Sequence, residues 1–248
     1  MTRVGGSAPV ASRPAQPTLQ RTAKPSAFSA RLREVEAQQY MLQNAMLGGM
    51  NKLLARGPGG AALRNFAANI FTGFSQGGAG NCVTVAAIKA GMTRFGTGGI
   101  FSRVARANDG SWNITMRDGY RMNLKQSEID AARHLSRFRG RDPQLLNRAI
   151  FYYAAATKRA MYENNDGWGR RSFAAAAQTL NNGEYTAEGL HFLGLDRYVR
   201  RVSVADMHRY NAVVASNSGH AMWVSGGVVE RYGRGQRGWF GINRAYAL

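Results

Sequence analysis

The spacing of hydrophobic positions predicts helices over much of the chain before residue 194. Apolar residues in 28–55 recur several times at intervals of three or four, which is typical of a helix. A glycine-rich stretch over 73–82 then leads into a mainly apolar run, Val83–Ile88, which predicts the start of a buried helix. Capping residues and turn signals predict the later helices, which begin near Ser127, Asp142-Pro143 and Ser172, at 186–193, and near Ser203.

Alternation of apolar and polar positions predicts strands in two parts of the chain. Trp112, Ile114 and Met116 alternate with polar residues ahead of Asp118-Gly119, so residues 111–124 are predicted to form a β-hairpin. Because helices come mostly first and strands last, the order predicts an α+β fold. The strands of the second group are predicted at 212–215, 219–225, 228–232 and 238–243.

The same pattern divides the chain into three parts. Residues 1–27 contain no acidic residue and are rich in Ser, Ala, Pro, Thr, Gln and Arg, so we expect a disordered basic leader there. Such a leader is either a loose tail or a targeting segment, and many bacterial effectors begin with a similar stretch. We expect a helical lobe over 28–194 and a β-rich lobe over 195–248.

The net charge of the chain favours binding to anionic partners, but it does not identify which kind. The chain has 33 Lys and Arg against 14 Asp and Glu, a formal net charge of +19. Acidic protein surfaces, acidic lipids and nucleic acids all attract such a chain. The basic residues are spread out and form no run interleaved with aromatics, so nucleic-acid binding is not expected as the main function.

Cysteine and histidine usage argues against disulfides and zinc. The one cysteine excludes an internal disulfide and suits a reducing compartment. The four histidines lack the close spacing of zinc ligands, and we expect no metal or other cofactor. No run approaches the roughly 18 consecutive apolar residues of a membrane span, and an apolar signal-peptide core is missing. We therefore expect a cytoplasmic protein or one secreted by a non-Sec route.

Cys82 is the candidate nucleophile of the chain. It lies at the predicted start of a buried helix, where backbone N–H groups and the helix dipole lower the pKa of a thiol. The preceding loop is poor in side chains, so its backbone could approach a substrate closely. Gln76 could then place its side-chain amide beside the Cys82 N–H as an oxyanion hole. The alternative is a small buried cysteine beside a flexible loop.

The residues around Cys82 resemble a known signature. Gln76-Gly77-x-x-Gly80-Asn81-Cys82 is similar to the Gln-Gly-x-x-Gly-Asp-Cys block of calpains, and Ala86-Ala87-Ile88 resembles the segment that follows it. Calpains are papain-like cysteine peptidases, so the resemblance implies a papain-like fold with Cys82 as nucleophile and Gln76 in the oxyanion hole. Asn81 stands where the family has Asp, and Val83 where it usually has Trp.

The resemblance continues to the C-terminal part, spanning about residues 70–245. Gly219-His220-Ala221 looks like the calpain strand that carries the histidine, which implies that His220 handles the proton. Asn243, in Phe240-Gly241-Ile242-Asn243, is the best match to the asparagine that orients this histidine. The family follows that asparagine with Pro-Trp, whereas this chain has Arg244-Ala245.

The resemblance implies a peptidase that acts on a protein substrate, and the leader suggests a secreted bacterial effector. A Cys-His-Asn site also supports deamidation, transamidation and acyl transfer, and a binding module could retain the fold without activity. Calpains depend on calcium, but the sequence lacks an EF-hand loop of the usual pattern. Calcium dependence of the core stays open.

Overall fold

The computed structural model describes residues 69–248, which form an α+β fold with antiparallel sheets. This confirms the predicted fold class. The expected leader at 1–27 and the expected helix at 28–55 lie outside the described residues. Within the described part, no helix is both long and apolar enough to cross a membrane.

A buried helix, α1 (Cys82–Phe95), occupies the centre of the molecule and begins at the candidate nucleophile. Its apolar composition fits this position, because every residue from Val83 to Met92 is buried. The helix packs against a short helix on one side and a central strand of the larger sheet on another. Asn81, at its N-cap, is buried and donates from Nδ2 to the Ser136 carbonyl at 2.8 Å.

The other α-helices begin close to four of the predicted positions, whereas the helix predicted near Ser203 is only a short 3₁₀ turn at Met207–Arg209. Asp142 accepts hydrogen bonds from the N–H groups of Gln144 and Leu145 at the start of the longest helix, and Ser172 accepts one from Ala175. These caps satisfy backbone donors that a helix start leaves open. The helices are α2 (Gln126–Ser136), α3 (Pro143–Glu163), α4 (Phe173–Thr179) and α5 (Glu188–Phe192), and short 3₁₀ turns lie at Asn165–Gly167, Gly169–Arg171, Asp196–Tyr198 and Met207–Arg209.

A three-stranded antiparallel sheet follows α1 and precedes α2 in the chain. It comprises β1 (Arg103–Arg106), β2 (Trp112–Thr115) and β3 (Arg121–Leu124) in that order. The predicted hairpin at 111–124 is confirmed as β2 and β3, with Ile114 opposite Met122. The sequence pattern missed β1, because its two terminal arginines are exposed and its centre is only half-buried.

The second sheet has six strands in the order β4-β9-β5-β6-β7-β8, all antiparallel. Strand β6 is fully buried, and its Trp223 packs on Phe71 with ring centroids 4.4 Å apart. Trp223 therefore belongs to the core. The strands are β4 (Arg200–Arg201), β5 (Val213–Ser216), β6 (Ala221–Ser225), β7 (Val228–Arg231), β8 (Arg234–Arg237) and β9 (Arg244–Ala247).

The strand expected at 238–243 is wrong. Gly238, Phe240 and Gly241 have φ angles of 138°, 47° and 67°, which extended strands do not adopt. These residues form the connection between β8 and β9. Asn243 therefore lies just before β9 instead of within a strand.

A buried ion pair connects α1 to the larger sheet. Nζ of Lys89 lies 3.3 Å from Oε1 of Glu230 on β7, and the exposed fractions of the two side chains are 0% and 6%. Lys89 also donates to the carbonyls of Ile70 and Phe71 at 2.7 and 3.2 Å. Burial lowers the pKa of Lys89 to about 8, against the opposing influence of Glu230. The pair is thus held by several hydrogen bonds in a site without water access.

Replacing Lys89 by Met should destabilise the fold strongly, because it leaves the Glu230 carboxylate buried without its cation. We expect a loss of about 3–5 kcal/mol in the free energy of unfolding. Urea unfolding followed by circular dichroism measures it. K125M, at an exposed lysine, is the matched control and should change stability by less than about 0.5 kcal/mol.

A double variant completes this test. K89M/E230Q removes both charges and should recover part of the stability lost in K89M. A K89M protein as stable as the wild type would show that the pair contributes nothing to the fold.

Candidate active site

A cleft of about 480 Å³ brings together segments that are far apart in the sequence. Its lining includes Cys82 at the start of α1 and His220 in the turn between β5 and β6. The rest of the lining comes from the loop Gly183–Thr186, from residues next to His220 in its turn, and from Asn243 and Arg244. The cleft therefore lies where the helical part of the molecule meets the larger sheet.

Cys82 is partly buried, and its thiol sits against the sheet. Sγ accepts a hydrogen bond from the N–H of Ala221, the first residue of β6, at 3.4 Å. Burial raises the pKa of the Cys82 thiol, and the N–H groups of Ala221, Val83 and Cys82 itself lower it by less. The backbone N–H groups at the helix start do lower the pKa of Cys82, as expected. Burial raises it by more, so the prediction of a lowered thiol pKa is wrong.

His220 is fixed through its backbone and through one face of its ring. Its N–H donates to Oδ1 of Asn217 at 2.8 Å, and Asn217 is itself anchored to the Phe240 carbonyl at 2.9 Å. The imidazole stacks on Tyr232 with ring centroids 4.9 Å apart and an interplanar angle of 20°. Burial and the positive charge of Arg231 lower the pKa of His220. Its ring is thus neutral, and able to accept a proton, near pH 7.

Asn243 lines the same cleft without contacting the histidine ring through a hydrogen bond. Its backbone N–H donates to the Ser216 carbonyl at 2.9 Å, and its side chain is exposed. Within residues 69–248 that side chain has no hydrogen-bond partner. Asn217 and Tyr232 hold His220, and an orienting role for Asn243 stays a prediction.

Gln76 lies in the loop before Cys82 but not among the residues that line the cleft. Its Nε2 donates to the Ala79 carbonyl at 2.6 Å, and its buried Oε1 has no partner in the described part of the chain. The loop is packed tightly: a Cβ on Gly80 would lie 2.5 Å from the Asn181 carbonyl oxygen, and one on Gly77 only 1.8 Å from that of Arg137. Glycine is required at both positions. The oxyanion role of Gln76 stays a prediction.

The sequence did not predict Glu184, which lines the cleft, or Tyr232, which stacks on His220. Glu184 lines the cleft, and its Oε1 accepts a hydrogen bond from the Asn182 N–H at 3.3 Å. Burial raises the pKa of Glu184 to about 7, and its negative charge helps to raise the pKa of Cys82. Gly183, which precedes Glu184, indicates a loop in the sequence. That this loop lies beside the Cys82 thiol follows only from the tertiary fold.

The cleft combines a thiol, an imidazole and a carboxyl from separate segments of the chain. Among residues 69–248, no group of three or more His, Cys, Asp and Glu side chains is arranged to hold a metal ion. The cleft instead offers one thiol, one neutral imidazole and one carboxyl of near-neutral pKa. Such a set supports attack on an electrophilic carbon.

Comparison with known proteins adds no relative to this picture. No protein-family model, no curated protein and no solved structure matches the chain. The resemblance to calpains therefore stands on the residues around Cys82 and His220 alone.

Proposed function

We propose that this protein is a calpain-like cysteine peptidase that cleaves peptide bonds in a protein substrate. One observation carries the proposal: Cys82 and His220, distant in the sequence, line the same cleft. The sequence offers no second cysteine, and this one begins a buried helix beside that histidine's turn. A nucleophile needs a base nearby, and the His220 imidazole shares the cleft with the thiol, although no hydrogen bond joins the two within residues 69–248.

A papain-like fold is part of the same proposal. A helix that begins at the nucleophile faces an antiparallel sheet, and the histidine directly precedes a central strand of that sheet. This is the arrangement that the resemblance implies. The α+β architecture is compatible with it.

The first half of the reaction forms a thioester. Sγ of Cys82 attacks the carbonyl carbon of the peptide bond, and the thiol proton passes to a ring nitrogen of His220. The N–H of Cys82, at the start of α1, would stabilise the negative oxygen of the intermediate. The C–N bond then breaks, and His220 gives its proton to the departing amine.

The second half restores the enzyme. A water molecule attacks the thioester carbon while His220 accepts its proton. Breakage of the C–S bond releases the carboxylic acid, and the proton on His220 returns to Sγ. His220 therefore acts in turn as base and acid, which suits a ring whose lowered pKa keeps it neutral at rest.

The raised pKa of Cys82 predicts how the free thiol reacts with iodoacetamide. Because the thiolate is the reactive form, the labelling rate should rise about tenfold per pH unit between pH 7 and 8.5. Mass spectrometry follows the rate, and the single cysteine makes the signal unambiguous. Urea-unfolded protein, with an ordinary thiol, is the control and should label faster at pH 7. A rate that is already constant below pH 7 would contradict the neutral resting thiol.

Replacing Cys82 by Ala should abolish peptide cleavage, and replacing His220 by Ala should reduce it strongly. Loss of the nucleophile removes the thioester route, and loss of the base should reduce kcat/KM by roughly 10²–10⁴. A library of quenched fluorescent peptides measures turnover, and mass spectrometry identifies the new peptide ends. H134A, at an exposed histidine on α2, is the matched control and should keep full activity.

Two outcomes would contradict the proposal. Turnover that persists in C82A would remove the thiol from the chemistry. A mass gain of about 1 Da at glutamine without new peptide ends would instead assign deamidation to the same site.

A further inference from the structure

One carboxyl oxygen in the cleft has no partner. Oε2 of Glu184 is buried and makes no hydrogen bond within residues 69–248, while Oε1 has only the long contact from the Asn182 N–H. No cationic side chain of the described region forms an ion pair with it. A buried carboxylate normally has a donor for each oxygen, because an unmet one is costly.

The surroundings of Glu184 are acidic in an otherwise basic protein. Glu188 and Asp166 both act on Glu184 as negative charges, although the whole chain carries a net charge of +19. Arg244 and His220 line the same cleft, yet neither forms an ion pair with Glu184. The Glu184 carboxyl therefore has no positively charged partner among the described residues.

We propose that Glu184 makes the cleft selective for a substrate with an arginine or lysine side chain beside the scissile bond. This inference rests on the proposed peptidase function. An ammonium or guanidinium group bound in the cleft supplies the missing positive charge beside the Glu184 carboxyl, which lines that cleft. An apolar side chain in the same place would leave the carboxyl unpaired, so the preference has both an attractive and a repulsive source.

The selectivity depends on pH through Glu184. With a pKa of about 7, the carboxyl is mostly neutral at pH 6 and mostly ionised at pH 8. Only the ionised form attracts a cation strongly, so the preference for a basic side chain grows as the pH rises across this range. The other groups that act on or face Glu184 are Glu188, Asp166, Cys82, His220 and Arg244.

Peptides that carry arginine or citrulline at each position around the scissile bond test the inference, because citrulline has nearly the shape of arginine without the charge. For the wild type we expect kcat/KM to favour arginine about tenfold at one position at pH 8, and about twofold at pH 6. E184Q should cleave both peptides equally at both pH values. E188Q, which removes a neighbouring carboxylate outside the cleft lining, is the control and should keep the arginine preference at pH 8.

An arginine preference that is the same in E184Q as in the wild type would overturn the inference while leaving the peptidase proposal standing.

If the wild type cleaves no peptide, the peptidase proposal fails, and a second measurement decides the role of Glu184. Cationic trimethylammonium-ethyl methanethiosulfonate and neutral methyl methanethiosulfonate both form a disulfide with Sγ and release methanesulfinate.

The ratio of the two labelling rates reports local charge, because any change in the pKa of Cys82 cancels. We expect the ratio of cationic to neutral rate at pH 8 to fall about threefold in E184Q, as expected for loss of one nearby charge. An unchanged ratio would show that Glu184 does not attract cations to the thiol, and would overturn the inference.

Discussion

The Lys89–Glu230 pair is the contact on which the relation between the helical part and the larger sheet depends. Lys89 lies on the helix that begins at Cys82, and Glu230 on the strand next to the one that His220 precedes. Oε1 of Glu230 also accepts a hydrogen bond from the Gly233 N–H at 2.6 Å, in the turn between β7 and β8. The buried Lys89–Glu230 pair thus connects the helix, the strand and that turn.

The turn held by Glu230 also contacts the imidazole of His220. The turn held by Glu230 carries Tyr232, whose φ of 51° is unusual for a residue other than glycine. In that conformation the phenol ring stacks on His220. The strained backbone at Tyr232 is therefore part of what holds the imidazole, and the ion pair that supports the turn acts on the cleft through it.

Local signals explain which parts of the fold were predictable. Asp142-Pro143 and Ser172 mark helix starts, because capping depends only on residues a few positions away. Strand β8 was missed since all its residues are exposed, and the strand expected at 238–243 fails because Phe240 adopts a left-handed φ that its sequence does not announce. Short-range patterns carry little information about exposed or kinked segments.

The cleft was predictable only in part. Cys82 and His220 could be named from residues that resemble a family block, but Glu184 and Tyr232 matter through contacts between distant segments. Likewise the helix start suggested a lowered thiol pKa, whereas the depth at which the tertiary fold buries the sulfur reverses the sign. Burial depends on what other elements cover a residue, and a single sequence does not contain that.

The partial burial and raised pKa of Cys82 affect how readily its thiol is oxidised. Peroxides attack thiolates far faster than thiols, and further oxidation beyond the sulfenic acid is irreversible in most proteins. Cys82 has no neighbouring cysteine that could capture a sulfenic acid as a disulfide. A thiol that is partly buried and whose pKa is raised forms little thiolate, so Cys82 is expected to resist peroxides better than an exposed, ionised cysteine.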